Sequence, residues 1–316
     1  MIGPLFYPAH YPPSRDPRPP VFERWVERPI GWLVERLTAP LARWDPARLA
    51  TPEVGVEIRY LAPEFAGYRI GLVTDLHHGP AVPTWWLEHV AERVAGLRLD
   101  LVALGGDFVS HAKSDLEGLD GVLTRFAASD GVVAVLGNHD HWVGAQAVAR
   151  VVERAGIELL ENRHRVLRRG HAALAVAGVG DFKHGAIRLE EALRGVGSAV
   201  PRVLLSHSPD LIEYVPAELR VDLMLSGHTH NGQLHWPWLG PLSVPSQFGG
   251  KYLHGLKRVG GTWLYVSAGV GTAAIPLRWG NPPELPVIVL RCAAGAGRKD
   301  TTTDGRGSSR ITSGRR

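Results

Sequence analysis

The sequence predicts an α/β layered domain whose chemistry lies at the carboxyl ends of its strands. Short apolar runs alternate with segments of helical periodicity from Val54 onward, the pattern of stacked sheet and helix layers. Several of those runs end directly in Asp, Asn or His. A composition of 45% hydrophobic and 21% charged residues is ordinary for a globular chain. Strands are expected at 54–60, 69–74, 99–104, 132–136, 172–177, 202–205, 221–225, 263–266 and 286–290, where apolar residues run together between turn signals. Helices are expected at 85–97, 116–128, 145–155 and 187–193, where apolar residues recur every three or four positions. The stretch 231–262, rich in Gly, Pro and Trp, reads as long loops near one end of the sheet.

The flanks differ from this body. Residues 1–20 hold seven prolines and read as a disordered or extended N-terminus. They contain no continuous apolar run and do not resemble a secretory signal. Residues 293–316 read as a disordered basic tail, with six cations against two anions. That surplus equals the whole net charge of +4, so the body is formally neutral and no nucleic-acid face is expected. The segment 21–50 is amphipathic. Phe22, Val26, Ile30, Leu33, Leu37 and Leu41 form a helical stripe flanked by Trp25, Trp32 and Trp44, and Pro29 and Pro40 are expected to divide it into two short helices. Residues 21–44 can pack on the domain or lie in a membrane interface, and the sequence leaves both open. No run reaches the roughly 18 apolar residues of a spanning helix. A cytoplasmic location follows as the expectation, with peripheral attachment to the inner face of the membrane if the stripe docks there. Cys292 is the single cysteine, which excludes a disulfide framework and a cysteine-based zinc site.

Five strand ends carry the chemistry. Arg-Ile-Gly-Leu-Val-Thr runs into Asp75-Leu76-His77, and Leu-Asp-Leu-Val-Ala-Leu into Gly105-Gly106-Asp107. Val-Val-Ala-Val-Leu runs into Gly137-Asn138-His139-Asp140, Arg-Val-Leu-Leu-Ser into His207, and Val-Asp-Leu-Met-Leu-Ser into Gly227-His228-Thr229-His230. In open α/β sheets ligands bind at this edge. Asp and Asn offer hard oxygen donors and His a borderline nitrogen, a mixture suited to manganese, iron or zinc. Extended backbone would point both members of Asp-x-His and His-x-His the same way. Asp107 has two oxygens and could bridge two ions. Two ions roughly 3.5–4 Å apart would activate a bridging water and clamp a phosphoryl group. One such motif alone is ordinarily a capped turn; five in order are not.

These motifs resemble the calcineurin-like metallophosphoesterase superfamily, from about Tyr68 to Leu290. The resemblance implies a metallophosphoesterase domain over 51–292, built as a four-layer α-β-β-α sandwich of two mixed sheets with a dinuclear metal centre at the strand ends. It implies Asp75, His77 and His230 on the first metal, Asp107 as the bridge, and Asn138, His207 and His228 on the second. His139 would contact the phosphate and assist the leaving group, with Asp140 pairing with it to orient it. The cofactor implied is two divalent metal ions, manganese first, with iron, zinc or magnesium as alternatives. Ser206-His207-Ser208-Pro209-Asp210, Gly-His-Thr-His-Asn-Gly-Gln and Pro-Pro-Glu-Leu-Pro-Val are similar to the bacterial phosphodiesterase branch that includes YaeI and YkuE. Some members of that branch cleave the pyrophosphate of UDP-2,3-diacylglucosamine in lipid A synthesis. Two positions depart from it: Asn231 where glycine is usual, and Ser110 where an acidic residue is common.

The reaction class expected is hydrolysis of a phosphodiester or pyrophosphate by metal-activated hydroxide, with a lipid-linked nucleotide as the sharpest substrate. A soluble phosphodiester, a non-catalytic metal-binding scaffold and a nuclease are the alternatives. His78, His111 and His141 stand close to ligands and can orient them, touch phosphate or lie on the surface. Trp85, Trp86, Trp236 and Trp238 can line an apolar mouth, and Trp85 and Trp86 can equally pack on the core.

Overall fold

Residues 69–73 and 101–104 serve two layers at once. Side chains alternate across a strand, so Ile70, Leu72, Leu101 and Ala103 enter one core while Val73, Val102 and Leu104 enter another. The computed structural model describes residues 28–293 except 237, 239 and 242. The first sheet joins β1 (Glu53–Ile58), β14 (Val287–Cys292), β2 (Arg69–Val73), β3 (Leu101–Leu104), β4 (Val132–Ala134) and β5 (Glu158–Leu159), in that order. β2, β3, β4 and β5 run parallel, and β14 pairs antiparallel with β2. The second sheet joins β12 (Gly255–Val259), β13 (Thr262–Val266), β9 (Leu223–Ser226), β8 (Arg202–Leu205), β7 (Ala172–Gly178) and β6 (Arg163–Arg169). Its outer pairs are antiparallel and its inner ones parallel. Both sheets are mixed. A small ribbon, β10 (His235–Trp236) with β11 (Gly240–Pro241), stands apart.

Three cores separate four layers. The middle one lies between the sheets, where Val56, Ile58, Ile70 and Leu72 meet Leu174, Val176, Val203 and Leu205. The outer face of the first sheet packs on the helices α2 (Thr84–Gly96), α3 (Leu119–Leu123) and α5 (Ala145–Arg154) through Trp86, Leu87, Val90, Val122, Val148 and Val152. The outer face of the second sheet is covered by α6 (Leu189–Ala192) and short 3-10 turns, with Leu189, Leu211 and Tyr252 over Leu204 and Met224. Each fully buried large apolar side chain contributes about 1.5–3 kcal/mol relative to exposure. The four-layer sandwich of two mixed sheets is therefore the fold. Among the described residues no helix is long and apolar enough to cross a membrane.

Helix α1 spans Arg28–Thr38 with Pro29 as its second residue, and the segment on the other side of Pro29 lies outside the described residues. The Thr38 hydroxyl donates to Val34 O at 2.7 Å, and a short 3-10 turn, Ala39–Leu41, follows. The stripe points outward: Ile30, Leu33 and Leu37 are 54%, 49% and 71% exposed, while Glu35 on the opposite side is buried. The remaining stripe residues Phe22, Trp25 and Val26, the expectation for 1–20 and nearly all of the tail lie outside the described residues.

Candidate metal centre

The candidate ligands reach one place because their strands end side by side. The chain leaving β2 continues as a ladder beside the chain leaving β3: Asp75 N–H donates to Gly106 O at 3.0 Å and His77 N–H to Asp107 O at 2.9 Å. β4 leads into α4 (Asn138–Val143), which begins with Asn138 and His139. From the second sheet, the chain beyond β8 supplies His207 and that beyond β9 supplies His228 and His230. Gly227 N–H donates to His207 O at 3.0 Å.

The local backbone is not extended at these residues, which corrects the reading of Asp-x-His and His-x-His as strand alternation. Asp75, His77, Asp107, His228 and His230 all have φ between 47° and 71°, in the left-handed region. Such conformations cost of order 1–3 kcal/mol each and persist where surrounding structure fixes them. Close approach does the rest. A Cβ on Gly137 would fall 2.2 Å from Asp107 Oδ1, and one on Gly227 would fall 2.4 Å from Asp75 Oδ2.

Two donor sets result, linked by a third group of His77, Asp107 and His139. Asp75, His77 and His230 form one, and Asp107, His207 and His228 the other. His77 Nε2 stands 3.1 Å from His230 Nε2 and 3.6 Å from Asp107 Oδ2, and His230 Nε2 stands 3.6 Å from Asp75 Oδ1. His207 Nε2 stands 3.2 Å from Asp107 Oδ2 and 3.1 Å from His228 Nδ1. Asp107 therefore reaches both sets through His77 and His207. The His207 Nδ1–H donates to Gly105 O at 2.9 Å, which directs its Nε2 toward the cluster. A buried amide oxygen without a partner costs about 1–3 kcal/mol, and Asn138 Oδ1 is such an atom among the described residues. A cation beside it removes that cost. Donor types, converging nitrogens and this orphan oxygen all fit a pair of divalent ions.

Electrostatics set the protonation each group carries before a metal binds. Burial pushes His77 and His139 down, to about 4 and about 3, so both rings are neutral at pH 7. Burial raises Asp75 to about 6. For Asp107 burial works upward, but His207 and His139 outweigh it and hold the carboxyl well below its usual range. Burial works downward on His207, and the Asp107 carboxylate reverses it, lifting His207 to about 10.

Asp140 has different partners from those expected. Its Oδ2 accepts from the backbone N–H groups of Asp107 (2.9 Å) and Gly137 (2.8 Å), and its Oδ1 from Phe108 (2.8 Å) and Val109 (3.4 Å). It stands at the third position of α4, where a carboxylate reaches back to the first turn. The orienting partner of His139 is the Ser110 carbonyl, which accepts from its Nδ1 at 2.5 Å. Asp140 thus fixes the Asp107 turn, and Ser110 fixes His139. Backbone carbonyls leave no trace in sequence, so this partner was not readable.

The three neighbouring histidines part company. His78 is buried between Asp115 O (2.6 Å) and Thr84 Oγ1 (3.0 Å), away from the ligands. His111 lies against His139 with ring centroids 5.0 Å apart. His141 packs near His184 at 6.4 Å. Trp86 is core, stacked on Trp44 at 4.8 Å, whereas Trp85, Trp236 and Trp238 are exposed. A cavity of ≈ 500 Å³ opens over Asp107, Asn138 and His139. Its apolar lining comes from Leu234, Val244 and Ile275 rather than from those tryptophans. Trp142, missed from the sequence, packs on His139 at 4.1 Å and lines the same cavity.

This fold and donor set define a class, and comparison with known proteins gives the same one. Residues 68–232 match the family model for calcineurin-like phosphoesterases, and the chain belongs to that family of hydrolases. An uncharacterized metallophosphoesterase of Helicobacter pylori (strain ATCC 700392 / 26695) is 29% identical over 248 residues, 77% of this chain and 65% of the relative. A transmembrane protein with metallophosphoesterase domain from Danio rerio is 30% identical over 274 residues, 81% of this chain and 62% of the relative. The phosphodiesterase YaeI of Escherichia coli (strain K12) is 31% identical over 229 residues, 71% of this chain and 83% of the relative. The matched region is thus a little under two thirds of the first two relatives.

Proposed function

We propose that this pocket hydrolyses a phosphodiester or pyrophosphate carried on a lipid, such as UDP-2,3-diacylglucosamine, at the inner face of a cytoplasmic membrane. Asp75, His77, Asp107 and His230 would hold one divalent ion, and Asp107, Asn138, His207 and His228 the other, with manganese the first candidate. Bound there, the ions supply Lewis acidity that activates a water and neutralises charge on the phosphoryl group. His139 meets the substrate through Nε2, because Nδ1 is committed to Ser110. Asp140 keeps the Asp107 turn in shape by taking its N–H groups. The phosphodiesterase named among the relatives supports the reaction class.

The observation that carries the lipid reading is the outward apolar face of α1 beside the cavity. Ile30, Leu33 and Leu37 face solvent, and Gly31 of the same helix lines the cavity with Leu234 and Ile275. Arg36 stands over Trp32 at 5.0 Å, a cation and an indole suited to an anionic lipid interface. One relative is named as a transmembrane protein with metallophosphoesterase domain, which supports this reading.

The test replaces Ile30, Leu33 and Leu37 together with serine, leaving Glu35 intact. Sedimentation with anionic phospholipid vesicles and cleavage of UDP-2,3-diacylglucosamine in those vesicles should both fall, while cleavage of bis-p-nitrophenyl phosphate is retained. Equal loss on both substrates, or vesicle binding unchanged, would sink the membrane reading and leave a soluble phosphodiester as the substrate class.

A further inference from the structure

Helix α1, whose Gly31 lines the cavity, carries a carboxylate onto the cavity residue His111. Glu35 is 1% exposed although the apolar residues of its own helix face solvent. Its Oε2 accepts from the Ser110 hydroxyl and from His111 Nδ1, each at 2.8 Å, and its Oε1 from Ala81 N–H at 3.4 Å. One helical side chain therefore fixes both residues that follow the Asp107 turn. Those two residues also hold His139. The Ser110 carbonyl takes the His139 Nδ1–H at 2.5 Å, and the His111 ring stands against the His139 ring at 75°. The helix lies directly on this assembly, since a Cβ on Gly31 would fall 2.7 Å from His111 Nε2. Burying a carboxylate is expensive unless it is paired and hydrogen-bonded. An apolar residue at this position would anchor the helix at lower cost, so stability alone does not explain the acid.

We propose that Glu35 is a positioning residue for hydrolysis, acting through Ser110 and His111 to hold His139 with Nδ1 protonated and Nε2 presented to the phosphoryl group. This rests on the reading of the cavity as the hydrolytic site. Helix α1 then belongs to the active site as well as to the surface.

The experiment compares Glu35→Ala, Glu35→Gln, His139→Ala and the Glu35→Ala/His139→Ala pair in the full-length, metal-loaded protein, with bis-p-nitrophenyl phosphate as substrate. Glu35→Ala should lower kcat roughly 10–100-fold, the range for outer partners that orient a functional histidine, with KM and metal stoichiometry near wild type and a lowered Tm from the donors it leaves without an acceptor. Glu35→Gln keeps an acceptor oxygen and should recover most of that loss. In the His139→Ala background the substitution should cost little more, because the two act as one unit. Independently of turnover, ¹⁵N-imidazole spectra of the metal-free protein should show His139 as the Nδ1–H tautomer and a mixture of tautomers in Glu35→Ala. Wild-type kcat in Glu35→Ala, an equal loss with and without His139, or loss of bound metal in parallel with kcat would overturn the proposal. Absence of turnover in the wild type would instead refute the reading of the cavity, and the nitrogen spectra would then decide the role of Glu35.

Discussion

Replacing Asp140 with asparagine separates two roles that the sequence could not tell apart. The carboxylate is fully buried and divides four backbone N–H groups between its oxygens, Asp107 and Gly137 on Oδ2 and Phe108 and Val109 on Oδ1. An amide has one acceptor oxygen. Whichever pair it serves, its NH₂ group confronts the N–H groups of the other. Two buried donors left without a partner cost about 1–3 kcal/mol each, so Asp140→Asn should destabilise by about 2–6 kcal/mol. The lower end is expected, since a neutral amide is cheaper to bury than a carboxylate. For a domain of this size each kcal/mol moves Tm by about 2–4 °C. Thermal unfolding should therefore show a clear drop, and metal analysis a loss of bound ion, because the Asp107 turn loosens. Unchanged Tm and metal content with turnover abolished would refute this reasoning and return Asp140 to a direct partnership with His139.

Other outcomes follow from the same geometry. Asp107→Asn should sharply weaken metal binding at both positions, as measured by stoichiometry after gel filtration, because Asp107 approaches both donor sets. His139→Ala should keep its metal and lose about 10²–10⁴-fold in turnover, the usual weight of a side chain assisting proton transfer; normal turnover would remove His139 from the chemistry. Chelation should lower Tm, and restoring an ion at a hundred times its Kd should return about 2.7 kcal/mol per site. Metal binding should also release a proton. In the metal-free protein the Asp107 carboxylate lifts His207 to about 10, so His207 is protonated at pH 7 and must lose that proton to ligate. Affinity should therefore rise with pH through the neutral range, and calorimetry in buffers of different ionisation enthalpy should detect the release.

The sheet cores were legible because inner strands are apolar on both faces. Residues 202–205 are buried throughout and were located to the residue. The edge strands of the second sheet were not. β6, Arg-His-Arg-Val-Leu-Arg-Arg, and β12 form the two edges of the second sheet, and half-exposed strands carry mostly polar side chains. Helix α4 was hidden for another reason: Asn-His-Asp-His-Trp-Val spends its residues on the site rather than on an apolar stripe. The strand-end residues announced themselves as a group, and the structure gathers them. Glu35 could not be found this way, since 75 residues separate it from Ser110 and a single acid on an amphipathic helix looks like solvated surface. The direction of the α1 stripe was equally unreadable, because periodicity identifies a face but not what it faces.

The most direct measurement titrates divalent ions into metal-free protein while following cleavage of bis-p-nitrophenyl phosphate and the number of ions bound. Two ions bound per chain, turnover that needs both, and complete loss with chelator would be the behaviour of the centre described above. Full turnover in the presence of chelator, or two bound ions with no cleavage of any phosphoester, would contradict it.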